Sequence, residues 1–339
     1  MSSSTILSEE SKNNIHLVYP VNNHSKLFCM CLFSALINNY PPPKLVNYGQ
    51  KMTFEEGQAK KISGFKSLLE SLPKNDTVIF VDAFDLFFQL PLDIMMLRYR
   101  DTKKTLFSSA DKWCWPNYRW SDACEKIPKS SLPADIYGPD TDLPYGRAKN
   151  RPRFFNSGGM IGQARQLKTL FKSADIKMAA LKEPPITDQG LLAEVFQVNY
   201  EKRNWGLDYE SSIFQTVTNS IADIMWPEEI TESTLSSAPL SPQPYMKKID
   251  LRGLGFDDPE SPWPDRWLAW NRVSNSVPVI LHYNGKEGKS VLEKSWQRMW
   301  WYPDLIEMTE ELAKNEKAGV WADGKWIQWK EICGTYDLT

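Results

Sequence analysis

The sequence predicts an α/β fold in which a mixed, mainly parallel, Rossmann-like sheet is flanked by helices. Three observations lead to this prediction. Strand-like and helix-like segments alternate along the first half of the chain. Several apolar runs are short and bounded by turn residues, as fully covered strands are. The chain of 339 residues is also long enough to bury a large core.

The first four elements are predicted in the order strand, helix, strand, helix. Ile15 to Tyr19 and Lys44 to Tyr48 have the composition of strands, and Leu27 to Asn38 reads as a core helix. From Phe54 to Leu72 the apolar residues recur at helical spacing, and Pro73 ends the element. This alternation predicts parallel strands joined by right-handed crossovers.

The fifth element is an apolar strand, Thr77 to Val81, that runs into two aspartates, Asp82 and Asp85. Ligands of open α/β sheets bind at the carboxyl ends of the strands. Two carboxylates in one short turn repel each other unless a cation or tight hydrogen bonding offsets them. A divalent ion that holds a diphosphate is one explanation, and a solvated turn or a helix cap is the alternative.

The later elements are less regular. Lys104 to Ser108 and Val277 to His282 are predicted to be strands, whereas Leu167 to Phe171, Asp188 to Phe196 and Ser290 to Ala313 are predicted to be helices.

Two irregular segments and one boundary complete the predicted organisation. Pro116 to Arg153 is a long loop, which in a compact domain is usually functional or mobile. Ser241 to Pro264 is similar and forms a soft boundary. The main domain is predicted to cover residues 14–289, with a Trp-rich helical extension over 290–339 packed on it.

Composition excludes some function classes. A net charge of −2 and a pI near 6.0 give no basic field for nucleic acid. The longest apolar stretch, Leu27 to Ile37, is too short to span a bilayer. Met1 to Asn14 does not resemble a secretory signal, so a cytosolic location is expected if Met1 is the native start, and the secretory pathway if the amino terminus is truncated.

The five cysteines lack the spacing of a zinc site. Cys29 and Cys31 are expected to be core residues. Cys114 and Cys124 lie across a loop and could pair in an oxidising compartment.

Three further segments carry polar residues between apolar runs. Phe154 to Gly162 contains Asn, Ser and two adjacent glycines, which lets backbone approach a ligand, although a glycine bulge explains it equally. Thr187 to Gly190 opens a helix, where Thr or Asp could simply be the cap. His282 ends a strand and precedes Tyr283 to Lys289, whose glycines and lysines suit a phosphate-binding loop. A structural histidine is the alternative.

Together these segments resemble the glycosyltransferase domain of procollagen lysyl hydroxylases, and they are similar to a broad set of fungal proteins related to that domain. The motif order is D-x-x-D, S-A-D-K-W-C-W-P from Ser109, F-N-S-G-G-M-I-G, T-D-Q-G, L-D-Y-E-S-S-I-F-Q from Leu207, and H-Y-N-G-K. The resemblance covers Asn14 to Lys289, which is far more specific than any single motif.

The resemblance implies a GT-A fold that binds a UDP-sugar with Mn²⁺, with Mg²⁺ as the alternative ion. It implies that Asp82, Asp85 and His282 are the metal ligands and that Phe84 lies beside the uridine. Oxygen and imidazole donors suit Mn²⁺.

Four residues would form the diphosphate loop. Asn284 and Gly285 match the loop of the family. The family's next lysine is displaced here, so Lys286 and Lys289 are both candidates.

The remaining matches concern the transfer itself. Asp111 and Asp188 are candidate bases, Trp115 would lie against the donor sugar, and Asn156 matches the family's asparagine. Thr187 replaces the first of two consecutive aspartates in the collagen-modifying enzymes. The implied reaction moves a hexose, with UDP-glucose or UDP-galactose favoured as donor, to a hydroxyl acceptor that is a small molecule or lipid.

Two other functions compete with transfer. A metal-dependent phosphohydrolase or nucleotidyltransferase would also use paired aspartates at a strand end. An inactive binding module of the same fold is supported by Thr187 alone.

The carboxyl-terminal third is rich in tryptophan. Core packing is the favoured explanation, and an aromatic wall for an acceptor is the alternative. Helical spacing would place the rings of Trp267 and Trp270, and of Trp296 and Trp300, on one helix face. The last three tryptophans are expected to hold the end of the chain in place. The residues concerned are Trp263, Trp267, Trp270, Trp296, Trp300, Trp301, Trp321, Trp326 and Trp329.

Overall fold

A computed structural model describes residues 14–181, 187–226 and 268–339 of the chain. Three features predicted from the sequence fall outside these ranges: the soft boundary at Ser241 to Pro264, and the side chains of Trp263 and Trp267.

The described chain alternates strands and helices through most of its length. The strands are β1 Ile15–Pro20, β2 Lys44–Val46, β3 Thr77–Val81, β4 Leu86–Phe88, β5 Leu106–Asp111, β6 Phe154–Gln163, β7 Trp205–Asp208, β8 Phe214–Thr216, β9 Ile224–Met225, β10 Trp270–Asn271, β11 Ile280–His282, β12 Gly319–Ala322 and β13 Lys325–Gln328. The helices are α1 Lys26–Ile37, α2 Phe54–Ser71, α3 Leu92–Thr102, α4 Asp122–Glu125, α5 Ala164–Ala179, α6 Asp188–Arg203, α7 Gly285–Lys289, α8 Leu292–Trp296, α9 Leu305–Lys314 and α10 Trp329–Ile332.

Eight strands form the central sheet, in the order β13-β12-β2-β1-β3-β6-β5-β7. Strands β12, β2, β1 and β3 run parallel to one another, and β5 runs parallel to β7. Strand β6 is antiparallel to both β3 and β5, which makes the sheet mixed. The predicted α/β fold with a mixed, mainly parallel sheet and flanking helices is confirmed.

Local sequence explains where the first two long helices begin. The Ser25 hydroxyl accepts a hydrogen bond from the Phe28 amide at the start of α1. Helix α2 starts with a capping box, in which the Thr53 hydroxyl accepts from the Glu56 amide and the Glu56 carboxylate accepts from the Thr53 amide.

Each face of the sheet is covered by its own apolar core. On one face α2 and α5 pack against β3 through three contacting rings, Phe65, Phe80 and Phe171. On the other face α1 is buried together with residues from the last third of the chain, including Trp296 and Trp301. Sheet burial on both faces is what the short apolar strands predicted.

A second sheet of three strands, β4-β11-β8, lies at the carboxyl end of β3. Strand β11 is antiparallel to β4, with His282 opposite Leu86, and parallel to β8, with His282 opposite Thr216. This register brings the end of β11 beside the turn that follows β3.

The region from Ser290 to Ala313 is not one helix, as the sequence predicted, but two helices separated by a turn. The first helix ends at Trp296, and Pro303 is the second residue of a 3₁₀ turn, Tyr302–Asp304, that leads into α9. Proline is favoured at such a start and disfavoured inside a helix, because it lacks an amide hydrogen.

The carboxyl-terminal segment also contains the hairpin β12-β13, which joins the central sheet by parallel pairing of β12 with β2. The predicted domain boundary between residues 289 and 290 stays a prediction.

Core packing is the role of most described tryptophans in this region. Trp296, Trp300, Trp301 and Trp329 are buried, whereas Trp321 is partly exposed. Trp270 is buried too, but it lies in strand β10 and not in a helix, so the predicted helical pairing with Trp267 is wrong. The favoured core-packing interpretation therefore holds for these described residues.

Two disulfides are present among the described residues, one within a loop and one between distant parts of the chain. The Cys114–Cys124 pair that the sequence allowed is present. Cys29 is buried, as expected, but it is also bonded to Cys333, which ties α1 to the chain's end. Cys31 is a free, buried thiol. Among the described residues, no helix is both long enough and apolar enough to cross a membrane.

Candidate active site

Asp82, Asp85 and His282 converge at the carboxyl end of β3. One potential ligand atom from each residue lies within 4.8 Å of the others. The His282 Nε2 atom is 3.4 Å from Asp85 Oδ1 and 3.7 Å from Asp82 Oδ2. We call these three residues the carboxylate–histidine cluster.

Two features of the fold bring the histidine to the acids. His282 lies opposite Leu86, the residue after Asp85, in the pairing of β11 with β4, and the Tyr283 amide donates to the Asp85 carbonyl oxygen at 2.7 Å. Gly158 supplies the space for the imidazole, because a Cβ atom there would lie 2.0 Å from His282 Cε1. The close approach of His282 explains this glycine of the Phe154 to Gly162 stretch. The pairing of β6 with β5 is also irregular between Phe155 and Met160, so the bulge interpretation applies here too.

The charges of the cluster perturb one another. Burial alone raises the pKa of Asp85, but the hydrogen bond and charge of His282 and the nearby Lys289 lower it overall. Burial alone lowers the pKa of His282, yet the Asp85 hydrogen bond and the charges of Asp85 and Asp82 raise it overall. The carboxylates thus favour a cation between them.

The donor set fits a divalent ion. Two carboxylates and one imidazole suit Mn²⁺, and the carboxylates also suit Mg²⁺. The His282 Nε2 atom faces both acids, while its Nδ1 atom is buried and has no hydrogen-bond partner among the described residues. The predicted ligands are therefore brought together in an arrangement that a metal would stabilise.

Asp111, at the end of β5, lies in a second arrangement with Asn156 and Asn284. The Asn156 side-chain amide donates to Asp111 Oδ2 at 2.9 Å, and the Asn284 amide donates to Asp111 Oδ1 at 3.2 Å. Burial raises the pKa of Asp111, and these hydrogen bonds limit the rise. We call these three residues the carboxylate–amide cluster.

Gln189 connects this cluster to the loop after β5. Its side-chain oxygen accepts from Asn156 Nδ2 at 3.3 Å and from the Ser157 amide at 3.2 Å. Its side-chain nitrogen donates to the Trp115 carbonyl oxygen. Gln189 belongs to the T-D-Q-G motif, but the sequence alone predicted no role for it.

Lys61 is a site residue that sequence reasoning missed. Its ammonium group lies 2.8 Å from Asp82 Oδ1 and 3.0 Å from Asp188 Oδ2, and its side chain is 9% exposed. The nearby charges of Asp188 and Asp82 raise its pKa although burial lowers it. A signal did exist in the sequence, because Lys61 lies four residues before the buried Phe65 on the same face of α2.

Asp188 is buried at the start of α6, and Lys61 joins it to the carboxylate–histidine cluster. Thr187 occupies the cap position, but its hydroxyl makes no capping bond and has no hydrogen-bond partner in the described parts of the chain. The simple cap explanation for Thr187 therefore fails.

The predicted diphosphate loop is placed next to both clusters. Gly285 has φ of +66°, and a Cβ atom there would lie 2.7 Å from the Thr218 hydroxyl, so both conformation and space favour glycine. The Asn284 side-chain oxygen accepts from the Thr218 amide at 3.1 Å. Of the two candidate lysines, Lys289 lies 3.3 Å from Asp85, and Lys286 is exposed.

The two predicted aromatic contacts differ in exposure. In the sequence Phe84 lies between the two acids. Its side chain is partly buried and packs on the core. Trp115 is 51% exposed, which leaves its ring accessible.

Asp208, in the L-D-Y-E-S-S-I-F-Q motif, has a structural role. Its carboxylate accepts hydrogen bonds from the amides of Ser212, Ile213 and Phe214 at 2.7–2.9 Å. These bonds shape the turn between β7 and β8 and so position β11, which pairs with β8.

Comparison with known proteins gives one family match. The family described as PLOD GT domain matches residues 45–130, a range that contains Asp82, Asp85, Asp111 and Trp115. His282 and Asn284 lie beyond the matched range, and the fold brings them next to the matched residues.

One curated relative is similar over a longer stretch. It is the procollagen-lysine,2-oxoglutarate 5-dioxygenase of Drosophila melanogaster, 23% identical over 188 residues, which is 52% of this chain and 22% of the relative. The chain thus matches about a fifth of that protein's length. It resembles the glycosyltransferase domain of procollagen lysyl hydroxylases, and the matches support a glycosyltransferase.

Proposed function

We propose that the protein is a metal-dependent glycosyltransferase that moves a hexose from a UDP-sugar to a hydroxyl acceptor. The convergence of Asp82, Asp85 and His282 carries the proposal. A cluster of two acids and one imidazole at a strand end suits an ion that binds a diphosphate. The match to the PLOD GT domain supports sugar transfer as the use of such a site. UDP-glucose and UDP-galactose are the favoured donors, and Mn²⁺ is the favoured ion.

The carboxylate–histidine cluster would hold the metal. When bound, Mn²⁺ supplies positive charge that stabilises the diphosphate leaving group. Lys289 adds a cation beside Asp85, and its long exposed side chain can reach a phosphate oxygen. Phe84 would pack against the uridine.

The carboxylate–amide cluster is suited to act on the acceptor. Asp111 is held by two neutral amides, so it can accept the proton of an acceptor hydroxyl without a paired cation that would weaken it as a base. Asp188 is less suited to that task because Lys61 already pairs with it. We therefore assign Asp111 as the base, Asp188 as a positioning residue, and Trp115 as a contact to the donor sugar.

Donor hydrolysis tests the proposal without knowledge of the acceptor. Purified protein is incubated with UDP-glucose, UDP-galactose or UDP-N-acetylglucosamine, each with Mn²⁺, with Mg²⁺ or with EDTA. Release of UDP that requires the metal is expected for at least one donor. The Asp85→Ala variant is the matched control and should release none above background.

Other outcomes point to the rival functions. Release of inorganic phosphate or diphosphate without UDP would favour a phosphohydrolase or nucleotidyltransferase. Tight binding of a UDP-sugar without release of UDP, even with a broad panel of hydroxyl acceptors, would favour an inactive binding module. Either result would overturn the proposed transferase.

A further inference from the structure

A cavity of about 260 Å³ lies between the long loop after Trp115 and the start of β6. Trp120, Asn150, Arg153 and Phe154 contribute to its wall, and we call it the loop cavity. Ligand cavities in proteins usually span about 300–1,000 Å³, so its volume suits a small unit such as one sugar ring.

The loop cavity adjoins the carboxylate–amide cluster. Phe154 pairs with Asp111 across strands β6 and β5, which places both side chains on one face of the sheet. The Arg153 amide donates to the Asp111 carbonyl oxygen at 2.9 Å. The residues that line the loop cavity include neither the three candidate metal ligands nor the carboxylate–amide cluster. The cavity is therefore a separate space that is joined to Asp111 through Arg153 and Phe154.

Two exposed aromatic side chains lie at the loop cavity. Trp120 is 74% exposed and Tyr118 is 71% exposed, and their rings stack with centroids 5.3 Å apart and planes 10° apart. Such rings offer flat, rigid apolar faces with a polar edge, on which the C–H face of a sugar can stack.

The loop that carries the pair is held in place. The Cys114–Cys124 disulfide closes it, and the Asn117 side-chain amide donates to the Gly190 carbonyl oxygen of α6 at 3.3 Å. The aromatic faces are therefore fixed relative to the helix that carries Asp188.

The cavity wall also contains buried polar atoms with unused hydrogen-bonding capacity. Asn150 is 6% exposed, and its side-chain oxygen has no hydrogen-bond partner within the described residues. The same is true of the Arg153 Nε–H group. A buried polar group without a partner destabilises the protein, and a ligand that bonds to it removes that cost. A hydroxyl can both donate to Asn150 and accept from Arg153, so a polyol satisfies both.

The charges of the wall are mixed, because three arginines, Arg119, Arg151 and Arg153, line it together with two acids. Arg151 is paired with Asp142, and the Arg153 guanidinium donates to the carbonyl oxygens of Glu125 and Ile127. The acidic side chains of Glu125 and Asp142 line the cavity together with the arginines.

We propose that the loop cavity binds a sugar ring of the acceptor, so that the hydroxyl that is glycosylated belongs to a saccharide or to a glycan. This inference rests on the proposed transferase function and narrows its acceptor from any hydroxyl compound to a carbohydrate. Trp120 supplies the stacking face, Tyr118 supports its ring from outside the cavity wall, and Asn150 and Arg153 supply the polar contacts.

Direct binding of simple glycosides tests the inference. Methyl α-D-glucopyranoside and methyl β-D-galactopyranoside are titrated into the full chain without donor or metal, and binding is followed by saturation-transfer NMR and tryptophan fluorescence. At least one glycoside should bind, and Trp120→Ala should weaken that binding at least tenfold. The matched control is Trp321→Ala, because Trp321 is also an exposed tryptophan but lies in β12. This control should bind as the wild type does.

Several results would overturn the inference: no glycoside binding at tens of millimolar, equal binding by the wild type and Trp120→Ala, or binding of inorganic phosphate in preference to both glycosides.

Donor hydrolysis separates failure of the sugar subsite from failure of the proposed function. If UDP release is intact while no glycoside binds, the subsite is wrong and the transferase stands. If glycosides bind through Trp120 but no donor is hydrolysed, the subsite stands and the transferase is wrong.

Discussion

The two carboxylate clusters of the site lie close together but are stabilised in opposite ways. In the carboxylate–histidine cluster the acids face cationic or protonatable groups, His282 and the ammonium groups of Lys61 and Lys289. In the carboxylate–amide cluster the buried Asp111 accepts hydrogen bonds from neutral donors, which include the amides of Asn156 and Asn284. A cation completes the first cluster, whereas the second is already complete without one.

This difference suggests a division of labour. A cluster that gains from added positive charge suits a metal and a diphosphate. A carboxylate held by neutral amides remains an acceptor for a proton, which suits a base. Five variants test this division, and they are ordered from the largest expected effect to the smallest.

Asp85→Ala should remove metal-dependent turnover of the UDP-sugar by at least about 10³-fold, because charge stabilisation by the ion contributes several kcal/mol. Calorimetric titration with Mn²⁺ should show that binding is lost, and circular dichroism should show that the fold is retained. Wild-type turnover in this variant would remove Asp85 from the mechanism.

Asp111→Asn should lower turnover by about 10²-fold, because a general base contributes at least that factor. The affinity for Mn²⁺ should stay within a few-fold of the wild type. A large loss of Mn²⁺ affinity would contradict the separation of the two clusters, and calorimetry on the same preparation measures it.

Lys61→Met should lower the free energy of unfolding by about 2 kcal/mol, because it leaves the buried Asp188 and the partly exposed Asp82 without their cation. Mn²⁺ should restore more stability to this variant than it adds to the wild type, since the ion neutralises Asp82. Denaturant unfolding with and without Mn²⁺ measures both effects, and Lys61→Arg is the charge-preserving control. Equal stabilisation of Lys61→Met and the wild type by Mn²⁺ would argue against a shared role for Asp82.

Lys289→Ala should raise the apparent KM for the UDP-sugar several-fold, as expected for the loss of one charge-assisted hydrogen bond. Lys286→Ala is the matched control and should have a smaller effect, because only Lys289 lies next to Asp85. Equal and negligible effects would discard the phosphate-loop assignment.

Asn156→Ala should shift the acidic limb of the pH–rate profile to higher pH. The sign follows from the hydrogen bond that Asn156 donates, which lowers the pKa of Asp111 against the effect of burial. Without this bond Asp111 becomes protonated at higher pH and is lost as a base sooner as the pH falls. An unchanged acidic limb would indicate that Asp111 does not control the rate.

Most of the carboxylate–histidine cluster was predictable from the sequence. Asp82 and Asp85 follow a strand of strong apolar character, so their place at a sheet edge needed only local patterning. His282 was found through motif order, since no local signal places it beside residues so distant in the chain. Lys61 was missed because a lysine on a helix is normally solvated, and only the packing of α2 on β3 shows that it is buried.

The disulfides show a second limit of sequence reasoning. Cys114 and Cys124 are ten residues apart and could be paired from the sequence, whereas Cys29 and Cys333 meet only after the chain's end packs on α1. Disulfides persist mainly in oxidising compartments, and the cytosol is reducing. The cytosolic location therefore stays a prediction, which thiol labelling of the protein from its native source would check.

The alternation of strands and helices, the acid pair at the end of β3 and the resemblance to a glycosyltransferase domain are all legible in the sequence. They follow from the period of apolar residues and from motif order, both of which are local or sequential properties. The partners of these residues come from folding: His282 opposite Leu86, Lys61 between Asp82 and Asp188, and Trp120 at the loop cavity. Ion pairs and cavities depend on distances of a few ångströms between residues far apart in the chain, and strand register and helix packing set those distances.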